Sequence, residues 1–348
     1  MNAKTKTLVI RFSSVGDIVL SSPLLRGLRK RFSEGQIDYA TKKEYGELVK
    51  TNQNLNLTYE LNSSGGFQEL RKMKRRVMAE KYDLIVDIHN SIRSKYLRSF
   101  PGPQVAVVDK RVLDRLLLVK VKRNTYKEVV SVADRYIACV SGLGVENDGK
   151  GLDLHIPDEI LFAVSGKIAK LTLSKYEKVI GLCPGSRHFT KRWPEDQFSK
   201  LGARLAKDEA AKILIFGAGE DAEIASGIAG YISEQCGKDC VTDFSGQFSL
   251  LETAAAMQFC DVIVTNDSGL MHIASAMHKK LVAVFGSTVR EFGFFPVGTE
   301  HVIVEKNGLP CRPCSHVGRP QCPEGHFRCM RDIAVEDVHS QVYKLLHA

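Results

Sequence analysis

No apolar run in the chain approaches the ~20 residues that a membrane span needs. The amino terminus, Met-Asn-Ala-Lys-Thr-Lys, leads into the first apolar stretch without a signal-peptide core, so a cytoplasmic location is expected. No repeat or low-complexity tract links the two halves, and neither half opens on a complete dinucleotide fingerprint. Gly217-Ala218-Gly219 is only a fragment of one, which argues against nicotinamide redox chemistry. RRM, KH and helix-turn-helix signatures are missing too, so a nucleic-acid partner is not expected.

What is present fits a globular protein of two domains: 348 residues, 44% hydrophobic and 26% charged. The net charge of +9 is unevenly spread, since residues 1–150 hold 28 Lys and Arg against 16 Asp and Glu. That half is therefore +12 and the remainder −3. Its basic runs, "RKMKRR" at 71–76 and Lys110, Arg111, Arg115, Lys120, Lys122 and Arg123, are either solvated faces or a surface for an anionic partner.

Short β-branched runs alternate with helical patterns from end to end, the signature of parallel sheets wound with helices. Strands are expected at 7–12, 36–41, 57–61, 83–88 and 104–108, and a restart of the pattern at 178–183, 212–216, 261–265 and 281–285. One helix is expected over 17–32. The reading is an α/β chain: an N-terminal Rossmann-like domain at 1–160, a C-terminal one at 175–333, and a final helix at 334–348 packing back on the first domain.

Candidate chemistry falls at the carboxyl ends of these strands, the edge where open α/β sheets bind ligands. Asp17 lies in "RFSSVGDIVLSSPLL", between a buried strand and a helix, as a helix cap or a ligand-facing carboxylate. In "CPGSRHFTKRWPE", Gly185 and Ser186 permit close backbone approach and Lys191 is a phosphate partner, or the loop is a plain basic helix start. Glu220 binds ribose or opens a helix. In "TNDSGLMHIASA", the helix start at Asp267, Ser268 and Gly269, with His272 one turn inside, suits a pyrophosphate.

Taken together, "SSVGDIVLSSPLLRGLR", "PGSRHFTKRWPEDQF", "DFSGQFSLLE" and "TNDSGLMHIASA", in that order, resemble the ADP-heptose:lipopolysaccharide heptosyltransferases of glycosyltransferase family nine. The resemblance runs over nearly the whole chain. It implies a GT-B fold, two Rossmann-like domains with parallel sheets facing a central cleft, and an inverting transfer without a catalytic metal. It further implies Asp17 as general base, Lys191 on the donor phosphates, Asp267, Ser268, Gly269 and His272 at the donor-side helix start, Phe248 lining the adenine pocket and Glu220 on the ribose. The partners implied are an ADP-sugar, a lipopolysaccharide core or lipid A-linked acceptor, and the anionic cytoplasmic face of the inner membrane, held peripherally. Arg93, Lys95 and Arg98 in "DIHNSIRSKYLRSF" are candidates for reading acceptor carboxylates, or form a plain basic helix.

Rival readings are a GT-B nucleotide-sugar epimerase, which needs no base matching "SSVGD", and a basic nucleic-acid-binding protein. Of nine cysteines, Cys311, Cys314, Cys322 and Cys329 form a C-x2-C-x7-C-x6-C cluster. The spacing suits a structural zinc knot, two disulfides or four free thiols in a loop.

Overall fold

The computed structural model describes residues 1–348. Five strands form the first sheet: β1 (Thr7–Ile10), β2 (Ile37–Lys42), β3 (Leu57–Leu61), β4 (Leu84–Asp87) and β5 (Gln104–Val107). All pair in parallel, in the order β3-β2-β1-β4-β5. β1, "TLVI", is buried along its whole length because helices cover both faces of a parallel sheet. The core of this sheet joins Leu8, Ile10 and Ile85 to Leu70, Met73 and Val77 of the crossover helix Gly66–Ala79.

The second sheet has six parallel strands: β6 (Lys178–Cys183), β7 (Ala211–Ile215), β8 (Val241–Asp243), β9 (Val262–Asn266), β10 (Lys280–Phe285) and β11 (His301–Glu305). Their order is β11-β10-β9-β6-β7-β8. β8 and β11 carry no sequence expectation: one is three residues long, and the other is an edge strand without a fully buried residue.

By packing, the chain divides into one unit of Met1–Arg111 with Val130–His155 and another of Val112–Val129 with Ile156–Ala348. Three features differ from the sequence reading. Helix Asp158–Ala169, expected as a connection, packs on helix Leu250–Met257 in the second unit, where Lys167 pairs with Glu252 at 3.2 Å. The final helix, Val335–Leu346, also belongs to the second unit rather than the first. Its Val335, Val338, Val342 and Leu345 recur at helical spacing and fill the core beside β9 and β10.

The helix expected over 17–32 is two helices, Val15–Val19 and Ser22–Arg31. Ser21 Oγ donates to the Ile18 carbonyl at 2.6 Å and Ser22 Oγ to that of Val19 at 2.8 Å. These bonds, with Pro23 supplying no N–H, break the helical ladder.

Val338→Ala opens a void where the side chain is fully buried in the second unit. It should lower stability by about 1–3 kcal/mol, read as a reduced urea midpoint with an unchanged slope. A midpoint equal to wild type contradicts the placement of this helix.

Candidate active site

Each sheet has one point where the order of strand addition reverses, between β1 and β4 in the first and between β6 and β9 in the second. Loops leaving the carboxyl ends of such strands diverge and leave a crevice. Asp17 follows β1 at the first, and Gly185, Ser186, Lys191, Asp267, Ser268 and Gly269 follow β6 and β9 at the second, while Glu220 and Phe248 follow β7 and β8.

In the first unit, Asp17 is buried at the third position of helix Val15–Val19. Its Oδ2 accepts from the backbone N–H of Ser14 at 3.1 Å and from the Ser14 hydroxyl at 2.8 Å. Its Oδ1 accepts from Arg11 Nη2 at 2.5 Å and from the Tyr136 hydroxyl at 3.1 Å. Four donors match the lone pairs a carboxylate offers. Burial pushes Asp17 up, but the Arg11 charge and the Ser14 donors outweigh it and hold the carboxyl below its ordinary range. The group is ionised at neutral pH and able to receive a proton once one donor yields.

Arg11 is itself fixed by the carbonyls of Ser13 and Ile88, both at 2.6 Å, so it bridges the loops after β1 and β4. Tyr136 comes from helix Val132–Ala138; burial raises its hydroxyl well above its ordinary value, and it stays a donor. Near them His89, edge-on to Phe12, is pushed down to about 3 by burial and by Arg11 and Lys110, and is a neutral imidazole. Sequence reasoning missed Arg11 and Tyr136. The signal for Arg11 was a lone charge ending an apolar strand; nothing local marks Tyr136.

Of the acceptor candidates, Arg93 and Lys95 are exposed on helix Ile92–Arg98. Arg98 is placed differently from them, because its Nε pairs at 2.9 Å with Asp87, a fully buried carboxylate at the end of β4. That charge needs its counter-ion, so Arg98 serves the fold.

In the second unit, Lys191 Nζ meets Asp267 Oδ2 at 2.7 Å, and the same oxygen accepts from Thr288 Oγ1 at 2.6 Å. Asp267 therefore aims the lysine; a carboxylate does not itself hold a diphosphate. Asn266, at the end of β9, ties the loops together, donating to the Pro184 carbonyl at 2.6 Å and accepting from the Trp193 N–H at 3.0 Å. Gly185 and Ser186 are buried beside it. A Cβ on Gly185 would lie 2.2 Å from Asp221 Oδ2, so only glycine fits.

Ser268 is the N-cap of helix Gly269–Ala276, yet its hydroxyl is buried without a partner and gives the first turn's N–H groups no side-chain cap. His272 is buried one turn in, edge-on to Phe294. Glu220 is exposed in the turn after β7, whereas its neighbour Asp221 is buried and accepts from the Ala218 N–H at 3.1 Å. Phe248 is half-buried, stacked on Phe244 at 4.6 Å with Lys167 Nζ 4.7 Å from its ring centre.

All nine cysteines are free thiols, so the disulfide alternative for the C-terminal cluster is not realised here. Cys311, Cys314, Cys322 and Cys329 line one small cavity with His326.

The sequence matches glycosyltransferase family 9 (heptosyltransferase) over residues 70–324. Among curated proteins it is similar to lipooligosaccharide heptosyltransferase 2 of Haemophilus influenzae, with 28% identity covering 82% of this chain and 84% of that one. Lipooligosaccharide heptosyltransferase 2 of Haemophilus ducreyi is 27% identical, covering 98% and 99%. Among solved structures, the ADP-heptose lps heptosyltransferase II of E. coli superposes with a TM-score of 0.74 at 22% identity, covering 99% of both chains.

Asp17→Asn leaves the Arg11 guanidinium buried without its counter-charge and should cost about 3 kcal/mol of stability at neutral pH. Because the folded carboxyl is depressed, this deficit is complete above the unfolded value of ~3.9 and closes as pH falls through the lower folded value. Paired denaturation curves from neutral to acid pH check the sign; a deficit that widens on acidification refutes the ion pair.

Proposed function

The chain belongs to glycosyltransferase family 9, the heptosyltransferases, and from that premise we propose that it acts as a heptosyltransferase 2, moving heptose from ADP-heptose to the lipopolysaccharide inner core. The observation that carries this reading is that each unit holds a constellation of its own at a strand-order reversal, and that the two are chemically unlike. One holds a buried, ionised carboxylate; the other holds a cation and a helix start.

The chemistry divides accordingly. An acceptor hydroxyl displaces one donor from Asp17, the Tyr136 contact being the longer of the two on Oδ1, and gives up its proton as its oxygen attacks the anomeric carbon. On the donor, the bond to the diphosphate breaks with inversion. Negative charge growing on the leaving phosphate is met by Lys191 and the N–H groups opening helix Gly269–Ala276. Ser268 supplies a hydroxyl that has no other partner. Phe248 stacks on the adenine and Glu220, exposed in its turn, bonds the ribose. Arg93 and Lys95 read anionic groups of the acceptor. An epimerase would have no use for the Asp17 constellation.

Lys191→Ala removes a charge-assisted contact of about 1.5–3 kcal/mol, and leaves Asp267 repelling the diphosphate, so affinity for ADP should fall by at least tenfold. Asp17→Asn should keep ADP affinity while transfer drops about 10²-fold or more. Calorimetric titration with ADP and a heptose-transfer assay separate the two. Undiminished transfer in Asp17→Asn would return that residue to a capping role, and stabilisation by UDP- or GDP-sugars in place of ADP-sugars would overturn the donor.

We also propose peripheral attachment to an anionic membrane face, supported by Arg71, Lys72 and Arg75 lying exposed on helix Gly66–Ala79 with Phe67, 62% exposed, at its start. No helix is long and apolar enough to cross a membrane. Binding to phosphatidylglycerol vesicles should be strong at low salt and fade as the screening length shortens. The triple replacement of these basic residues by Gln should abolish it; retention by neutral vesicles argues against the proposal.

A further inference from the structure

After β11 the chain runs through residues 306–327 without a helix or strand. A segment of that length inside a packed unit needs something other than a backbone ladder to hold it. Its outer side is pinned by polar contacts. Arg312 donates to the carbonyls of Gly286 at 2.7 Å and Thr288 at 2.9 Å and pairs with Glu305. Lys122 Nζ, from the Val112–Val129 segment, caps the carbonyls of Cys311 at 2.9 Å and Pro313 at 2.6 Å. The inner side is sulfur: Cys311, Cys314, Cys322 and Cys329 surround a cavity of about 10 Å³, room for one atom-sized guest.

The imidazole beside them points the same way. His326 Nδ1 accepts from the Arg328 N–H at 3.0 Å, which leaves the proton on Nε2, 3.9 Å from Cys311 Sγ. That nitrogen stands beside the sulfur, where an outer imidazole orients a ligating side chain. No group of three or more His, Cys, Asp or Glu side chains stands together at coordinating geometry, so binding requires the four thiols to draw in on the ion.

We propose that Cys311, Cys314, Cys322 and Cys329 bind one zinc-class divalent ion as a tetrathiolate knot, and that the knot fixes the loop carrying Lys191. Binding deprotonates the thiols and releases their protons to solvent; no redox change occurs. The link to Lys191 is short. The Thr190 N–H donates to the Arg319 carbonyl at 3.1 Å, and the Arg319 N–H returns to Thr190 Oγ1 at 2.8 Å. Ser287 Oγ donates to the same hydroxyl at 3.0 Å. Gly318, at φ +102°, lies so close that a Cβ would stand 3.0 Å from Lys191 Cδ and 2.5 Å from His188 Cβ. A loosened knot therefore unseats the phosphate loop.

The metal site stands independently of the donor assignment, while its effect on ADP rests on the function proposed above. The full chain, purified under reducing conditions without added metal, should carry about one equivalent of zinc or iron by elemental analysis. Exchange with cobalt(II) should give sulfur-to-metal charge-transfer and tetrahedral ligand-field bands. Metal-free protein, silent cobalt spectra, or thiol counts showing disulfides overturn the site. Anaerobic removal by chelator should weaken ADP binding about tenfold, restored by zinc. Metal present but ADP affinity unchanged on removal overturns the coupling alone, and failure of holoprotein to bind ADP at all indicts the donor reading instead. Cys314→Ser should lose the ion, but the wild-type measurements decide the matter even if that variant does not fold.

Discussion

Right-handed crossovers between parallel strands are the constraint on which the rest of this protein depends. A sheet covered on both faces must reverse its direction of growth once, and both sheets here do so beside their first strand. The loops that part at the reversal are β1 and β4 in one unit and β6 and β9 in the other. Every residue given a chemical role in transfer, other than the base and ribose contacts after β7 and β8, follows one of those four strands or packs on their ends. Topology fixes where chemistry can occur, and side chains decide which chemistry.

The Arg11–Asp17 pair shows how that decision is made. A buried carboxylate alone would take up a proton, and a carboxylate next to an arginine in water would remain solvated. Burial with Arg11, Ser14 and Tyr136 gives an anion that is dry, oriented and already charged. The cost is low basicity, since the same donors that keep it ionised compete with the substrate. Removing its charge exposes a second problem, an orphaned guanidinium, so stability and catalysis are coupled at this position.

Much of this was legible in the sequence because the relevant signals are local. Strand ends, glycines at close approaches and the order of Asp17, Lys191 and Ser268-Gly269 follow from runs of a few residues. What escaped was non-local or ambiguous. Tyr136 reaches Asp17 across 119 positions, and nothing near it marks a polar destination. Helix Val335–Leu346 shows its apolar stripe plainly, but the stripe does not say which sheet it covers. The break at Ser21–Ser22 turned on hydroxyls bonding back to the ladder, which hydrophobic spacing cannot register.

Segment Val112–Val129 packs with the second unit although the chain on either side of it packs with the first. The backbone therefore passes between units three times, after Arg111, after Val129 and after His155. No single cut yields both halves intact: a gene fragment starting at Ile156 would lack Lys122 and leave the carbonyls of Cys311 and Pro313 bare. Evolution by simple fusion of two ready-made modules leaves one junction. This chain has three, so neither unit is one continuous stretch of sequence.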